Sequence, residues 1–569
     1  MRYVHKFSYP RPQTYRQIDL QADLAFDEDN LVDPGSLADD EPAEDQLQEL
    51  EAPPPSPNPS LDNVPEDTDA EAQLDDLKIS QAFIDSLRNA SLDEGGLDAN
   101  TLHQLRHPPQ ELLDLGDERD LRLAIELFLQ HGDKAYTSTR QSILRRHPED
   151  DIPSYDQMTR KIVQLTGVDS VVHDMCPNSC VGYTGPFATL DNCPECGEPR
   201  YDPILIQKTN GRIRHPRQQF HTIPVGPQLQ ALWRSPETAN LMHHRIRRTE
   251  DILNEKDGQG RVNITFFDDF YTGSDYLRAV NDGHLREDDI TLMFSIDGAQ
   301  LYHNKQSDCV IYIWVVLDLP PQFRYMKKYV LIGGIIPGPN KLKHLDSYIY
   351  PSLHHLIALQ TEGLCFWDAN RQAVFLSRPF FVFGTADSIG IVQLNGQTGH
   401  HGAYGCRMYC AVKGRRKEGG KHYYPALLKP TDYDIPGCNH GDVDVYNLPP
   451  TITADYDRNL RLVLASPNNR EYKINRRETG ISKPSIISAI SPQHVLGVPA
   501  SFVADLMHLT ALNITDLKLG LFRGTIDCNP LDNKATWDWM VLQGNIWINH
   551  GKAVADAMPY LPGSFDRPP

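Results

Sequence analysis

From Ile79 onward apolar residues recur at helical spacing, through Phe83, Ile84 and Leu87 and then through Leu121, Leu123, Ile125, Leu127 and Phe128. Gly95, Gly96, Pro108 and Pro109 interrupt the pattern, so residues 78–165 are predicted to form a small region of several helices. Nothing there suggests chemistry, and it reads as a scaffold or partner-binding module. Farther along the period changes. Ile290 to Ile296 is an apolar run ending in Asp297-Gly298, Cys309 to Leu317 is a second, and Tyr329 to Ile336 is a third, stopped by Pro337-Gly338-Pro339. Leu345 to Leu359 returns to helical spacing, with Leu353, Leu356, Ile357 and Leu359 on or near one face. A hairpin is predicted around Asp368 to Gln372, and a further strand, Pro379 to Phe383, runs into Gly384-Thr385-Ala386-Asp387.

Charge separates the amino-terminal part from this body. The 569 residues carry a formal net charge of −21, but Gln17 to Leu77 holds 20 Asp and Glu and no Lys or Arg, leaving 56 acids against 55 bases elsewhere. Gln17 to Leu77 also carries Pro53, Pro54, Pro55, Pro57 and Pro59 with Phe26 as its one aromatic residue, and segment 1–77 is expected to be a disordered acidic tail. The remainder, about 490 residues, suffices for two to four domains. No apolar run approaches the ~18 residues of a membrane span, and Met1 to Pro12 has no apolar signal core. The expectation is a soluble intracellular protein whose cysteines are thiols or metal ligands.

Cys176, Cys180, Cys193 and Cys196 lie in CPNSC and CPECGEPRY, two pairs separated by twelve residues. That spacing suits a tetrahedral Zn²⁺ held by four thiolates, and Gly197 suits a knuckle turn where backbone approaches sulfur. The first pair has three intervening residues where two are commoner, and the competing reading is packed core thiols. A zinc ribbon over 166–203 would be a closed, structural site, supplying ~10 to 16 kcal/mol of apparent folding free energy. A second group, Cys406, Cys410, Cys438 and His440, with His400, His401 and His422 nearby, falls in an expected insertion, 401–445. Zinc and packed thiols are equal alternatives there.

Two basic stretches are candidates for contact with DNA phosphates. Ile204 to Glu250, within a basic linker region 204–284, has eight bases against two acids. Arg212, Arg214, Arg217, Arg245, Arg247 and Arg248 are interleaved there with histidines and Trp233. Lys413, Arg415, Arg416 and Lys417, with Lys421, face Glu418 alone and could clamp a DNA backbone. A solvated face or loop is the bland alternative for each.

Three strands, a helix and a strand, with Asp297 just past the first and Asp387 just past the fourth, is the order of a ribonuclease-H-like α/β fold with a mixed sheet. If those two strands are neighbours ~4.8 Å apart, the carboxylates face one spot. Such an arrangement can hold two Mg²⁺ ions ~3.5 to 4 Å apart for in-line displacement at phosphorus. Taken singly, each aspartate is equally at home as a strand terminator. No Gly-x-x-x-x-Gly-Lys-Ser/Thr loop and no Gly-x-Ser-x-Gly elbow occurs, which argues against a nucleotide-dependent enzyme and against a serine hydrolase.

The segments FSIDGAQLYHNKQSDCVIYIWVV, IPGPNKLKHLDSYIYPSL, FGTADSIG, GHHGAYGCRMYC and DLMHL follow CPNSC and CPECGEPRYD in this order. Together they resemble the catalytic region of CACTA-type (En/Spm-like) DNA transposases, from about Ile79 to the carboxyl end. The resemblance implies a cut-and-paste transposase acting on transposon-end DNA in the nucleus, with Mg²⁺ as catalytic ion. Asp297 matches the family's first acid and Asp387 its second, while Asp505 and His508 match its Asp-x-x-His element. It also implies a third acid, a glutamate in a helix well beyond that element. No candidate occurs before Pro569. The expectation is therefore a core begun in 285–400, left incomplete in the helical continuation 446–569, and weak or inactive in cleavage, with Asp505 able in principle to substitute. Self-association is a further expectation. The alternatives are a non-enzymatic, zinc-dependent DNA- or protein-binding factor derived from such an enzyme, and a decayed gene product without a cellular role.

Overall fold

The computed structural model describes residues 71–557 apart from 113–114, 116–117, 259–261, 301–307, 339, 388–389, 449–452 and 529–532. The acidic tail up to Ala70 lies outside the described residues. From Glu71 the chain folds as a mixed α/β structure. Strands β1 (Val171–Asp174), β2 (Gln219–Thr222), β3 (Thr291–Gln300), β4 (Asp308–Val316), β5 (Leu331–Pro337) and β8 (Phe380–Ala386) form one sheet, and β6 (Leu364–Asp368) and β7 (Ala373–Ser377) form a separate hairpin. The sheet order is β1-β2-β5-β4-β3-β8. All neighbours are antiparallel except β3 and β8, which are parallel.

The helix Leu345–Glu362 lies under one face of the sheet and is buried on almost every side, which explains its apolar composition. Tyr348, Leu353 and Leu356 pack there with Phe294, Tyr312, Trp314, Ile336 and Phe381. Tyr312 donates or accepts at Ser352 Oγ, 2.8 Å away, tying β4 to this helix. Its ring lies over Gly333 and Gly334 of β5, where an added Cβ would come within 2.5 Å and 2.4 Å of ring atoms, so only glycine leaves room.

On the opposite face Met293, Val315, Leu317, Phe380 and Val382 meet Ile252, Tyr271 and Tyr276. Below them a buried charge pair joins two strand ends. Arg245, 2% exposed, donates through Nε to Asp318 Oδ1 at 2.7 Å and through Nη2 to the carbonyls of Arg286, Glu287 and Asp289. Asp318 accepts in turn from the Thr291 backbone N–H and hydroxyl.

The helical stretch expected over 78–165 divides between two cores. Helix Asp75–Arg88 joins the main core through Phe83, Ile84 and Leu87, together with Leu105 of helix Ala99–Arg106. Helices Arg119–Gln130, Asp133–Arg146 and Tyr155–Thr166 close instead on Leu121, Ala124, Tyr136, Ile152 and Met158. The first helix begins inside the segment that charge assigned to the tail. Asp75 and Asp76 occupy its first turn, where the helix dipole favours carboxylates, and Leu77 is buried.

Two buried histidines make stability depend on pH. His355 Nε2 accepts the Gly226 N–H at 3.1 Å, and burial holds its pKa down from 6.5 to about 3. Burial likewise brings His173, which meets Thr222 Oγ1 at 2.9 Å, down to about 4. Folded values below the unfolded one mean that the unfolded chain takes up these protons first. Stability is thus full above pH ~6.5 and falls as pH drops toward 4 and then 3, by up to ~1.4 kcal/mol per pH unit per group. Urea unfolding should show a lower midpoint at pH 5 than at pH 7. His355→Gln, which keeps an acceptor for Gly226, should narrow that gap.

Candidate metal centre and acidic strand ends

β1 delivers the first cysteine pair. Beyond Asp174 the chain turns back on itself, with Cys176 N–H donating to Val181 O at 2.9 Å and Ser179 N–H to Cys176 O at 2.9 Å. The second pair repeats the device: Cys193 N–H donates to Glu198 O at 2.8 Å, and Gly197, at φ 73°, donates to Cys193 O at 2.9 Å. The sulfurs of Cys176, Cys180, Cys193 and Cys196 then lie within 4.8 Å of one another. Cys176 and Cys196 are 3.6 Å apart, close to the ~3.8 Å that four sulfurs ~2.3 Å from a tetrahedral zinc would have. Backbone and side-chain N–H groups of Asn178 point at Cys176 and Cys196 at 3.4 Å and 3.6 Å. This set can hold a metal ion such as zinc.

The four sulfurs differ in how readily they lose a proton. Burial pushes Cys193 up to about 11 and Cys180 higher still, whereas at Cys196 the Glu198 backbone N–H and Asn178 outweigh burial and bring it down to about 7. Metal binding must therefore displace protons, and affinity will rise with pH.

The cluster is built into the main core. Cys176, Cys180 and Cys193 are buried in it, and β1 and β2 extend the sheet beyond β5. Its loops grip the first turn of the central helix. His344 N–H donates to Cys180 O at 3.0 Å, His344 Nε2 meets Glu195 at 2.9 Å, Gly182 N–H donates to Ser347 Oγ at 2.9 Å, and the Thr184 hydroxyl donates to Ser347 O.

The second candidate centre is the carboxyl end of the parallel pair. Ile296 is registered with Ala386, and Asp297 and Asp387 are the residues that follow; β3 runs on to Gln300, so Asp297 lies within the strand and not just past it as expected, while Asp387 follows the end of β8. Asp297 is exposed, its Oδ1 accepting from Gly298 N–H at 2.7 Å. Asp387 is half-buried, and its Oδ1 accepts from Gly390 N–H at 2.6 Å at the start of helix Gly390–Asn395. Phe502 bridges Gly384 in parallel, with Gly384 N–H donating to Ser501 O at 2.8 Å. Asp505 follows Phe502 by three residues, and residues 503–505 lie outside any helix or strand. His508 falls in the wound segment Met507–Ile514, and its side chain lies outside the described residues. Among the described residues, the four cysteines are the only group of three or more ligand atoms gathered within 4.8 Å. The aspartates are thus not closed into a cage. Asp289 and Asp318, strand-end acids assigned no role, are occupied structurally: Asp289 accepts from the backbone of Arg286 and Arg378, and Asp318 from that of Thr291.

Several expectations on basic residues and on the second Cys/His group need correction. Arg245 is held inside by Asp318 and cannot reach DNA. Arg415, also 2% exposed, donates to the carbonyls of Ala426, Cys438, His440 and Gly441, where it stitches the basic loop together. That loop is a small hairpin of β9 (Arg415–Arg416) and β10 (Tyr423–Tyr424). Arg214 pairs with Asp191, Arg217 with Glu198, Arg248 with Asp268 and Lys413 with Glu478, while Arg247 binds Asn240. Arg416 is half-buried, and Arg212 and Lys417 are exposed. Cys406, Cys410, Cys438 and His440 do not bring three ligand atoms within 4.8 Å of one another, and the carbonyls of Cys438 and His440 accept from Arg415. A hydrogen bond from Cys410 and the N–H groups of Cys410 and Met408 bring Cys406 down to about 6. His400, His401 and His422 stack in series, with ring centroids 3.9 Å and 4.0 Å apart.

Arg407 was not anticipated. It donates to Ala386 O at 3.4 Å, directly before Asp387. Its place in GHHGAYGCRMYC carried no signal of that contact. Among the described residues no helix is long and apolar enough to cross a membrane. No protein-family model matches the chain, and no curated protein matches it.

The cysteine cluster and the buried ion pair each make a measurable difference. Elemental analysis should find one tightly bound metal ion per chain, lost in Cys193→Ser, and its removal should raise hydrogen exchange in β1, β2 and the first turn of the central helix before the rest of the sheet. Arg245→Ala should cost about 3 to 5 kcal/mol in denaturant unfolding, because it leaves Asp318 charged, buried and unpaired.

Proposed function

We propose that the chain is a transposase-like protein of the CACTA type, binding transposon-end DNA in the nucleus and cleaving it weakly in the presence of Mg²⁺. The observation that carries this reading is the parallel register of β3 and β8, which sets Asp297 beside Asp387. The sheet order adds support for a ribonuclease-H-like core: antiparallel β5, β4 and β3, then β8 parallel to β3 after an intervening helix. Mg²⁺ takes hard oxygen ligands and keeps several waters, and two carboxylates at an open strand end suit it. Bound there, it would stabilise developing charge on a phosphoryl oxygen. Gly390 N–H orients Asp387, and Arg407 at Ala386 O supplies a fixed cation beside the acids for a phosphate. Asp505 is the third carboxylate of this site. Zinc is the ion for the four cysteines, where it fixes the sheet edge and takes no part in cleavage.

A second reading, a binding factor without catalysis, is favoured by one observation: Asp387 already caps a helix, and the aspartates are not gathered into a cage. Nicking of DNA bearing the element's terminal repeats decides between them. Wild-type nicking that requires Mg²⁺ or Mn²⁺, disappears in Asp297→Asn and weakens in Asp505→Asn, with DNA affinity retained, is the expected result. Equal nicking by wild type and Asp297→Asn would mean a contaminant, and DNA binding with no nicking would leave the binding factor.

A further inference from the structure

Most of the bases that charge counts singled out are spoken for. Arg245 and Arg415 are buried, and Arg214, Arg217, Arg248 and Lys413 are held in ion pairs. A row of exposed cations stands instead on helix Asn469–Thr479, where none was expected. Arg470, Lys473, Ile474 and Arg477 are exposed and fall at i, i+3, i+4 and i+7, one stripe of the helix. Among the described residues Arg470 and Lys473 make no ion pair, and Arg477 pairs with its neighbour Glu478, Nε to Oε1 at 2.9 Å. Helix stability does not ask for this placement. Arg470 stands in the first turn, where the helix dipole disfavours a cation.

The opposite face of the helix is fixed to the body. Asn475 Nδ2 donates to Ser466 Oγ at 3.0 Å and to Leu462 O at 3.3 Å, and the Tyr472 hydroxyl donates to Ser482 O at 2.9 Å. Its carboxyl end is anchored on the segment that follows the second aspartate. Thr398 N–H donates to Gly480 O at 2.9 Å, the Tyr409 hydroxyl donates to Thr479 O at 2.9 Å, and Lys413 Nζ meets Glu478 Oε2 at 3.2 Å. The same segment carries Arg407 to Ala386 O. The stripe is thus mounted on the piece of chain that reaches the strand end of Asp387.

We propose that this stripe is a docking surface for duplex DNA, its three cations lying along the phosphates of one strand. This rests on the DNA-binding reading above and names its interface. From Arg470 to Arg477 the helix rises about 10 Å, at ~1.5 Å per residue. That is the axial length of about three phosphates of one strand, at ~3.4 Å each. Counting Lys413, four bases stand against Glu471 and Glu478, so the face is net positive. Tyr472, the one aromatic residue of the helix, is half-buried and tied to Ser482, so the stripe offers point charges for phosphate and no platform for unpaired bases.

The test measures binding of the full, metal-loaded chain to a duplex of arbitrary sequence, without terminal repeats, over a range of salt concentrations. Joint replacement Arg470→Gln, Lys473→Gln and Arg477→Gln should weaken binding at low salt. It should also make the plot of log affinity against log salt shallower by about 2 to 3, and Lys473→Gln alone by ~0.9, the value per phosphate contact. Removing equal charge from helix Asp133–Arg146, by Lys134→Gln, Arg145→Gln and Arg146→Gln, should leave the slope of the wild type. All six side chains are exposed, so unchanged melting temperatures are expected and confirm folding. Equal slopes for the wild type and the first variant, an equal fall in both variants, or a loss confined to single-stranded DNA or RNA would each overturn the proposal. Nicking is read separately. A shallower slope without nicking keeps the interface while the transposase reading fails, and nicking with an unchanged slope rejects the interface alone.

Discussion

Parallel pairing of β3 with β8 is the constraint on which the rest of the structure depends. Parallel neighbours cannot be joined by a tight turn, and here β4, β5, the central helix and the β6/β7 hairpin all lie in the crossover between them. The burial of that crossover selects the pairing. Trp314 of β4 stands 5.1 Å from Phe294 of β3 and 6.3 Å from Phe381 of β8, so one indole seals the seam between the two strands from beneath. Arg245 and Asp318 tie the start of β3 to the chain leaving β4. The parallel pairing registers Ile296 with Ala386, the residues directly before Asp297 and Asp387.

The cysteine cluster is subordinate to the same core. It supplies the last two strands of the sheet and holds the first turn of the helix that fixes β4 through Tyr312 and Ser352. The cysteine loops and the central helix are therefore joined through the backbone of Cys180 and the side chain of Ser347.

How much of this was legible in the sequence depended on whether a signal was local. The strands around Phe294, Trp314 and Phe381 were readable because apolar runs bounded by Asp-Gly and Pro-Gly mark buried strands whatever they pair with. The knuckle at Gly197 was readable from cysteine spacing alone. The fate of the arginines was not, since charge counts treat Arg245 and Arg247 alike. Helical phase would have separated them: Arg245, Thr249 and Ile252 form the buried stripe of helix His244–Asn254, and Arg247 faces away. For Cys438 and His440 the limit is different: spacing sets them near Cys406, yet no three ligand atoms of that group gather within 4.8 Å, which only long-range folding decides. The contact of Arg407 with Ala386 joins segments far apart in the chain, which no local pattern encodes.

The short outer strands have a meaning beyond carrying cysteines. An uncovered strand edge is a template for pairing with another chain, and native sheets blunt such edges with short or tethered strands. Here β2 contacts β5 through only the pairs His221–Ile335 and Thr222–Gly334, with β1 outside it and the metal knuckles immediately following. Ile332 and Ile335 stand exposed on that flank at 42% and 37%. An ion held by the four sulfurs would thus be a clasp on the sheet's border, and its loss would leave β5 and its isoleucines open to the nearest copy.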